Sequence, residues 1–115
     1  MKFAALVVIV ADDLEDRAID SAKRAGAAGV TIVDAKGLGA QEKKTFFGLT
    51  YEGSQTVLLF VLEKKLSVHV LKRLNRDLDL ANTSKGVAFT LPLEHVAGID
   101  PEQIQQFEDR IRDEI

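Results

Sequence analysis

Thr56-Val57-Leu58-Leu59-Phe60-Val61-Leu62 is apolar at every position after its first residue and rich in β-branched and aromatic side chains. A strand with one wet face would alternate, so an unbroken run of this kind predicts a strand covered on both faces, at the centre of a sheet. The run Phe3-Ala4-Ala5-Leu6-Val7-Val8-Ile9-Val10 has the same character, and two such strands demand covering layers on both sides of the sheet. Working outward, Leu66, Val70, Leu74 and Leu78 recur every four residues among Lys72, Arg73, Arg76 and Asp77, which predicts an amphipathic helix to about Leu80. After the first run, Asp12 with Glu15 reads as a capping box. Leu14, Ala18, Ala22 and Ala25 then share one helical face, and Gly26 supplies a stop, so a helix is predicted over 13–25.

Between these halves, Val30 to Lys36 mixes apolar residues with Thr31, Asp34 and Lys36, as suits a strand at a sheet edge. Lys36 to Ser54 follows with neither a strand nor a helix period and reads as one long loop. Structureless connections beyond about 12 to 15 residues are mostly functional or disordered. This one carries Gly37 and Gly39 at its root and Phe46, Phe47 and Tyr51 further on, which a solvating linker would not need. Beyond the second helix, Asn82 to Gly86 reads as a polar turn. Val87, Phe89, Leu91 and Leu93 then alternate in a half-buried strand that Pro92 confines to an edge. Asp100-Pro101 opens a last helix, 100–115, with Ile104, Phe107, Ile111 and Ile115 along one side. The order is βαββαβ plus a C-terminal helix: an α+β, ferredoxin-like fold with an antiparallel sheet, its first and third strands central. We expect those two central strands to be the parallel pair of the split βαβ unit. Both helices would cover one face, leaving the other to the C-terminal helix or to a second copy of the chain.

The chain has 115 residues, the size of one domain spanning 1–115, and is 46% hydrophobic and 29% charged. A net charge of −3 argues against a nucleic-acid binder working through a basic surface. Without cysteine there is no disulfide framework, thiolate metal site or cysteine nucleophile. The N-terminal apolar run ends at Asp12-Asp13, too short for a membrane span and unlike a signal peptide, so a cytoplasmic protein is expected. His95 beside Glu94 is a sparse metal-ligand set, His69 reads as a surface or interface residue of a helix, and Ser84 has no histidine at a catalytic spacing. Lys43-Lys44 reads as solvated, and Phe46-Phe47 either anchors the loop or meets a partner.

Two segments carry a family resemblance. Gly29-Val30-Thr31-Ile32-Val33-Asp34-Ala35-Lys36-Gly37-Leu38-Gly39-Ala40-Gln41 resembles the strand and loop root of the PII signalling proteins, Gly-x-Thr-Val-x-x-Val-Lys-Gly-Phe-Gly-Arg-Gln. Ser84-Lys85-Gly86-Val87-Ala88-Phe89 is similar to that family's Gly-Asp-Gly-Lys-Ile-Phe segment, and element order agrees over roughly residues 1 to 98. The resemblance implies a homotrimer that binds an adenine nucleotide (ATP, ADP or AMP) in clefts between subunits, leaving open whether Mg²⁺ joins it. It implies regulation of a membrane transporter or metabolic enzyme, under a small-molecule effector, through a T-loop at 39–54. Carried over by position, Thr31 would approach the adenine. Gly37, Leu38, Gly39 and Gln41 would line the phosphates, and Ser84, Lys85, Gly86 and Val87 would form a second phosphate loop, the B-loop, within 82–87. Lys43, Lys44, Phe46, Phe47 and Tyr51 would meet a partner.

This chain departs from the pattern at Ala40, where the family has arginine, at Glu42, where it has a basic residue, and at Val87, where it has lysine, Lys85 standing two positions earlier. Tyr51 is not equivalent to the family's modified tyrosine, because the loop is shorter. Arg110 and Arg112 echo an Arg-x-Arg pair but fall in a predicted helix. The pattern is that of a divergent PII-like regulator, not an enzyme. Alternatives on the same fold are a CutA-like metal-responsive trimer and an acylphosphatase-like enzyme. The latter would need an arginine where Ala11-Asp12-Asp13 stands.

Overall fold

A computed structural model of the chain describes residues 2–36, 45–46, 49–50, 54–83, 85–99, 102 and 109. Strand β1 (Phe3–Ala11) leads through a 3₁₀ turn (Asp12–Leu14) into helix α1 (Glu15–Arg24), and β2 (Thr31–Ala35) follows. Two short strands, β3 (Thr45–Phe46) and β4 (Leu49–Thr50), precede β5 (Gln55–Glu63). Helix α2 (Lys64–Leu78), the single turn α3 (Leu80–Thr83) and β6 (Gly86–Leu93) complete the order. The main sheet runs β2-β5-β1-β6, so the two continuous apolar runs are its central strands. All three pairings are antiparallel. That corrects the expectation of a central parallel pair: the helical crossover makes β1 parallel to β2, and β5 returns between them, antiparallel to both.

Helices α1 and α2 lie on one face. Leu6, Val8 and Val10 from β1 and Leu58, Phe60 and Leu62 from β5 meet Ala18 and Ala22 from α1 and Leu66, Val70, Leu74 and Leu78 from α2 in one buried cluster. The four-residue spacing of those leucines and Val70 is therefore the seam of α2. Glu63 starts that helix by accepting from the backbone N–H of Lys65 at 2.7 Å and of Leu66 at 3.1 Å, which satisfies two of the donors a helix start leaves open. Gly26, at φ 115°, ends α1 as its sequence position implies, with its N–H on the Lys23 carbonyl and that of Ala27 on Ala22.

Four local details differ from the sequence reading. The predicted capping box at Asp12 and Glu15 is not made: α1 has no side-chain cap. Both carboxylates turn instead to the buried hydroxyl of Thr56, at 2.7 Å from Asp12 Oδ1 and 2.9 Å from Glu15 Oε1. The second helix stops at Leu78, where Asp79 enters the left-handed region at φ 52° and the α3 turn begins, so Asn82 and Thr83 are helical and not part of a loop. The segment read as wholly irregular contains a two-rung ladder pairing Thr45 with Thr50 and Phe46 with Leu49. Finally, the apolar row of β6 does not face the helices: Ala88 packs against the core cluster, while Val87, Phe89 and Leu91 stand opposite Ile9, Val7 and Ala5 on the other face. Of the C-terminal helix expected over 100–115, Glu102 and Asp109 are helical; its other residues lie outside the described ones. No helix among the described residues is long and apolar enough to cross a membrane.

Candidate functional site

The register fixes where the two glycine-bearing segments emerge. Ala35 pairs with Gln55, Gln55 with Ala11, and the Ala11 N–H donates to the Lys85 carbonyl at 3.2 Å, so all four share one row across the sheet. The root of the long loop at Lys36 and the segment leading into β6 thus leave the same end of the sheet from opposite edges. Three strand spacings separate those edges, about 14 Å. Thr31 lies on the β2 edge too, opposite Leu59 and exposed. The described roots of the two segments, Lys36 and Lys85, thus share one end of the sheet on opposite edges, with Thr31 further down β2.

At the β6 edge, Lys85 is exposed, Gly86 is buried and Val87 is half-buried. The Ala11–Lys85 bond makes 11/85 and 9/87 the hydrogen-bonded pairs of this ladder, which turns the N–H groups of Gly86 and Ala88 away from β1. Pro92 falls in the same outward-facing register and so removes no ladder bond, the physical reason β6 tolerates it. Beside these outward amides, a cavity of about 330 Å³ opens between β6 and the end of α2, with Lys72, Asn75 and Leu80 on its wall and Gly86 and Val87 on its floor. An exposed lysine, two outward amides and a neighbouring cavity fit one end of an anionic ligand such as a nucleotide phosphate.

Gly86 also has a packing reason. A Cβ there would lie 2.7 Å from Val10 Cγ1, 2.9 Å from Leu80 Cδ2 and 3.2 Å from the Ile9 carbonyl oxygen. The motif reading missed Lys72, Asn75 and Leu80. Lys72 and Asn75 reach this wall from α2 itself, while the left-handed break at Asp79 turns Leu80 back over Gly86, and Asp79 carries no glycine signal. Of the other expected residues, Gly37, Leu38, Gly39, Gln41 and Ser84 lie outside the described residues, as do Lys43, Lys44, Phe47 and Tyr51 and the departing positions Ala40, Glu42, Arg110 and Arg112. Phe46 is placed by its backbone pairing with Leu49.

Acidic groups share the same end of the sheet. Asp12 and Glu15 meet at Thr56, and the Asp12 N–H reaches the Ser54 carbonyl at 3.4 Å. Among the described residues no group of three or more metal-ligating side chains comes together. His95 and Glu94 are exposed, and His69 is half-buried with Nε2 lacking a hydrogen-bond partner.

Comparison with known proteins adds to this geometry. The fold matches a PII-like signalling protein from Thermus thermophilus at 22% identity and TM-score 0.62, over 81% of this chain and 87% of that one. CPII from Thiomonas intermedia, solved with ADP and bicarbonate, matches at 21% identity and TM-score 0.61, with the same coverages of 81% and 87%. GlnK of B. subtilis, solved with ATP, matches at 14% identity and TM-score 0.62, over 81% and 85%. No curated protein sequence matches the chain. The family model for nitrogen regulatory protein P-II matches residues 3–103, from the start of β1 to beyond β6, and the chain belongs to the P-II family.

Proposed function

We propose that this chain is a regulator that works as a homotrimer, takes an adenine nucleotide between neighbouring subunits, and passes the bound state to a target protein through residues 39–54. The observation that supports this reading is that β2, which leads into the Gly37–Gln41 segment, and β6, which follows Ser84, are the opposite edges of one sheet. A second copy, set edge to edge, would bring Thr31 and the Gly37–Gln41 root of one subunit against Ser84, Lys85, Gly86 and Val87 of the next. The apolar face that the described residues leave uncovered supports such an assembly, because Leu59, Val61 and Leu91 are exposed on it, and large exposed apolar patches mark interaction surfaces. The ADP and ATP found in CPII and GlnK support the nucleotide class. Lys85 would meet the phosphates, and the loop would differ in order between the liganded and free states because ligand contacts favour one of them.

Calorimetric titration of ATP, ADP and AMP into the purified protein tests the reading. Saturable binding with one site per chain, weakened about tenfold in Lys85→Ala, is expected. Absence of binding by any of the three at millimolar concentration would refute it.

A further inference from the structure

We propose that the groove between α1 and α2, on the outer side of the helix layer, binds a small polyanion, a metabolite carrying two or more phosphate or carboxylate groups. The groove encloses about 420 Å³, within the size range of small-molecule sites. Four arginines converge on it, Arg17 and Arg24 from α1 and Arg73 and Arg76 from α2, against only Asp20 and Asp77. The wall is therefore cationic in a chain whose net charge is −3.

The ion pairs already present do not use up this charge. Asp20 is matched by Arg24 at 3.0 Å. Asp77 faces Arg76 at 3.3 Å and Arg73 at 3.8 Å, and also accepts from the Ser21 hydroxyl at 2.8 Å. Among the described residues, Arg17 reaches only the Asp77 backbone carbonyl, at 3.2 Å. Arg73 Nε is buried without a hydrogen-bond partner, a state that burial makes costly. Two positive charges thus remain after both carboxylates are matched. The side chains of Arg24 and Arg76 are 71% and 69% exposed, so their ion pairs are solvent-screened and can be exchanged for the oxygens of an incoming ligand.

Guanidinium forks match carboxylate and phosphate oxygens two at a time, so this donor set selects for anions with several oxygens. A concave groove of this volume suits a compact molecule better than the surface of a macromolecule. The groove lies across the helix layer from the uncovered sheet face, so assembly through that face leaves it open.

Titration of tripolyphosphate and of citrate at low salt, followed by nuclear magnetic resonance of the arginine Nε–H groups and by calorimetry, tests the site. One ligand should bind per chain and shift the Arg17 and Arg73 signals. Arg17→Gln with Arg76→Gln should weaken binding by about tenfold or more, and Arg17→Lys with Arg76→Lys should also weaken it although charge is kept. Lys64→Ala, exposed at the start of α2 and away from the groove, should leave it unchanged. Thermal melts of each variant establish that the fold persists. No saturable binding of either probe below about 10 mM, wild-type affinity in the glutamine variant, or an equal loss in Lys64→Ala would each overturn the proposal.

Discussion

The two faces of this sheet are almost equally apolar in sequence and quite different in their surroundings. On the helix side, Leu6, Phe60 and Leu62 are at most 2% exposed. On the other side, Val61 and Leu91 flank Ala5 in a single row and are 46% and 49% exposed. Strands carry side chains alternately to each face, so an uninterrupted apolar run commits both faces to burial. The chain's own α1 and α2 bury one of them, and the described residues leave the other uncovered. Even β6, the half-polar edge strand, turns its larger side chains to the uncovered side. The fold and the proposed assembly thus draw on the same strands, through alternate residues.

The covered side should respond most strongly to substitution. Phe60→Ala should destabilise the folded chain by about 3 to 5 kcal/mol, read from chemical denaturation, because its neighbours cannot collapse fully into the space left. Leu59→Ala, one residue along, should cost the subunit far less, since Leu59 is 38% exposed. Equal losses at the two positions would show that both faces are covered by the chain itself.

Gly86→Val probes the end of the sheet, where packing and ligand roles meet. Its Cβ would press on Val10 and on the Ile9 carbonyl, so a loss of about 1 to 3 kcal/mol is expected in the absence of any ligand. An unchanged melting temperature would leave Gly86 with only a ligand-facing role.

Thr56→Val keeps the shape at the covered face but removes the hydroxyl between Asp12 and Glu15. A loss of about 1 to 3 kcal/mol is expected, as for a polar partner withdrawn from part-buried acceptors. A neutral result would show that solvent already satisfies both carboxylates.

The smallest effect belongs to Asp77 on the solvent side of the helices. The Ser21 hydroxyl holds its carboxyl below the ordinary value of 3.8; burial opposes this next most strongly, and the neighbouring Arg76 and Arg73 add to the lowering. A carboxylate with a lowered folded value adds stability above its unfolded value and loses it as pH falls through the folded one. Asp77→Asn should therefore reduce stability at neutral pH and flatten the decline below about pH 4. Parallel acid-unfolding curves for the two proteins would contradict this.

Much of the fold was legible because it depends on local periodicity. The runs at Phe3 and Thr56 announced central strands, the leucine spacing from Leu66 announced the buried seam of α2, and Pro92 announced an edge. What stayed hidden depends on partners distant in sequence. Asp12 and Glu15 have capping-box spacing, yet Thr56, which only the sheet register brings near, takes both carboxylates. The break at Asp79 lacks the usual glycine, so the wall that Leu80 builds over Gly86 had no local signal. The arginine groove needs two helices packed side by side, and neither helix alone distinguishes Arg17 or Arg73 from ordinary solvated charge. The candidate nucleotide residues rest on motif resemblance, and that the strands next to them form opposite edges emerges only from strand order.

The most direct measurement is the mass of the protein in solution by light scattering, compared with that of Val61→Asp. The wild-type chain should have three times the 12.6 kDa protomer mass, and the variant, with a charge placed on the uncovered face, should be a folded monomer. A wild-type protein that remains monomeric at micromolar concentration, or a Val61→Asp variant that assembles as the wild type does, would contradict the account.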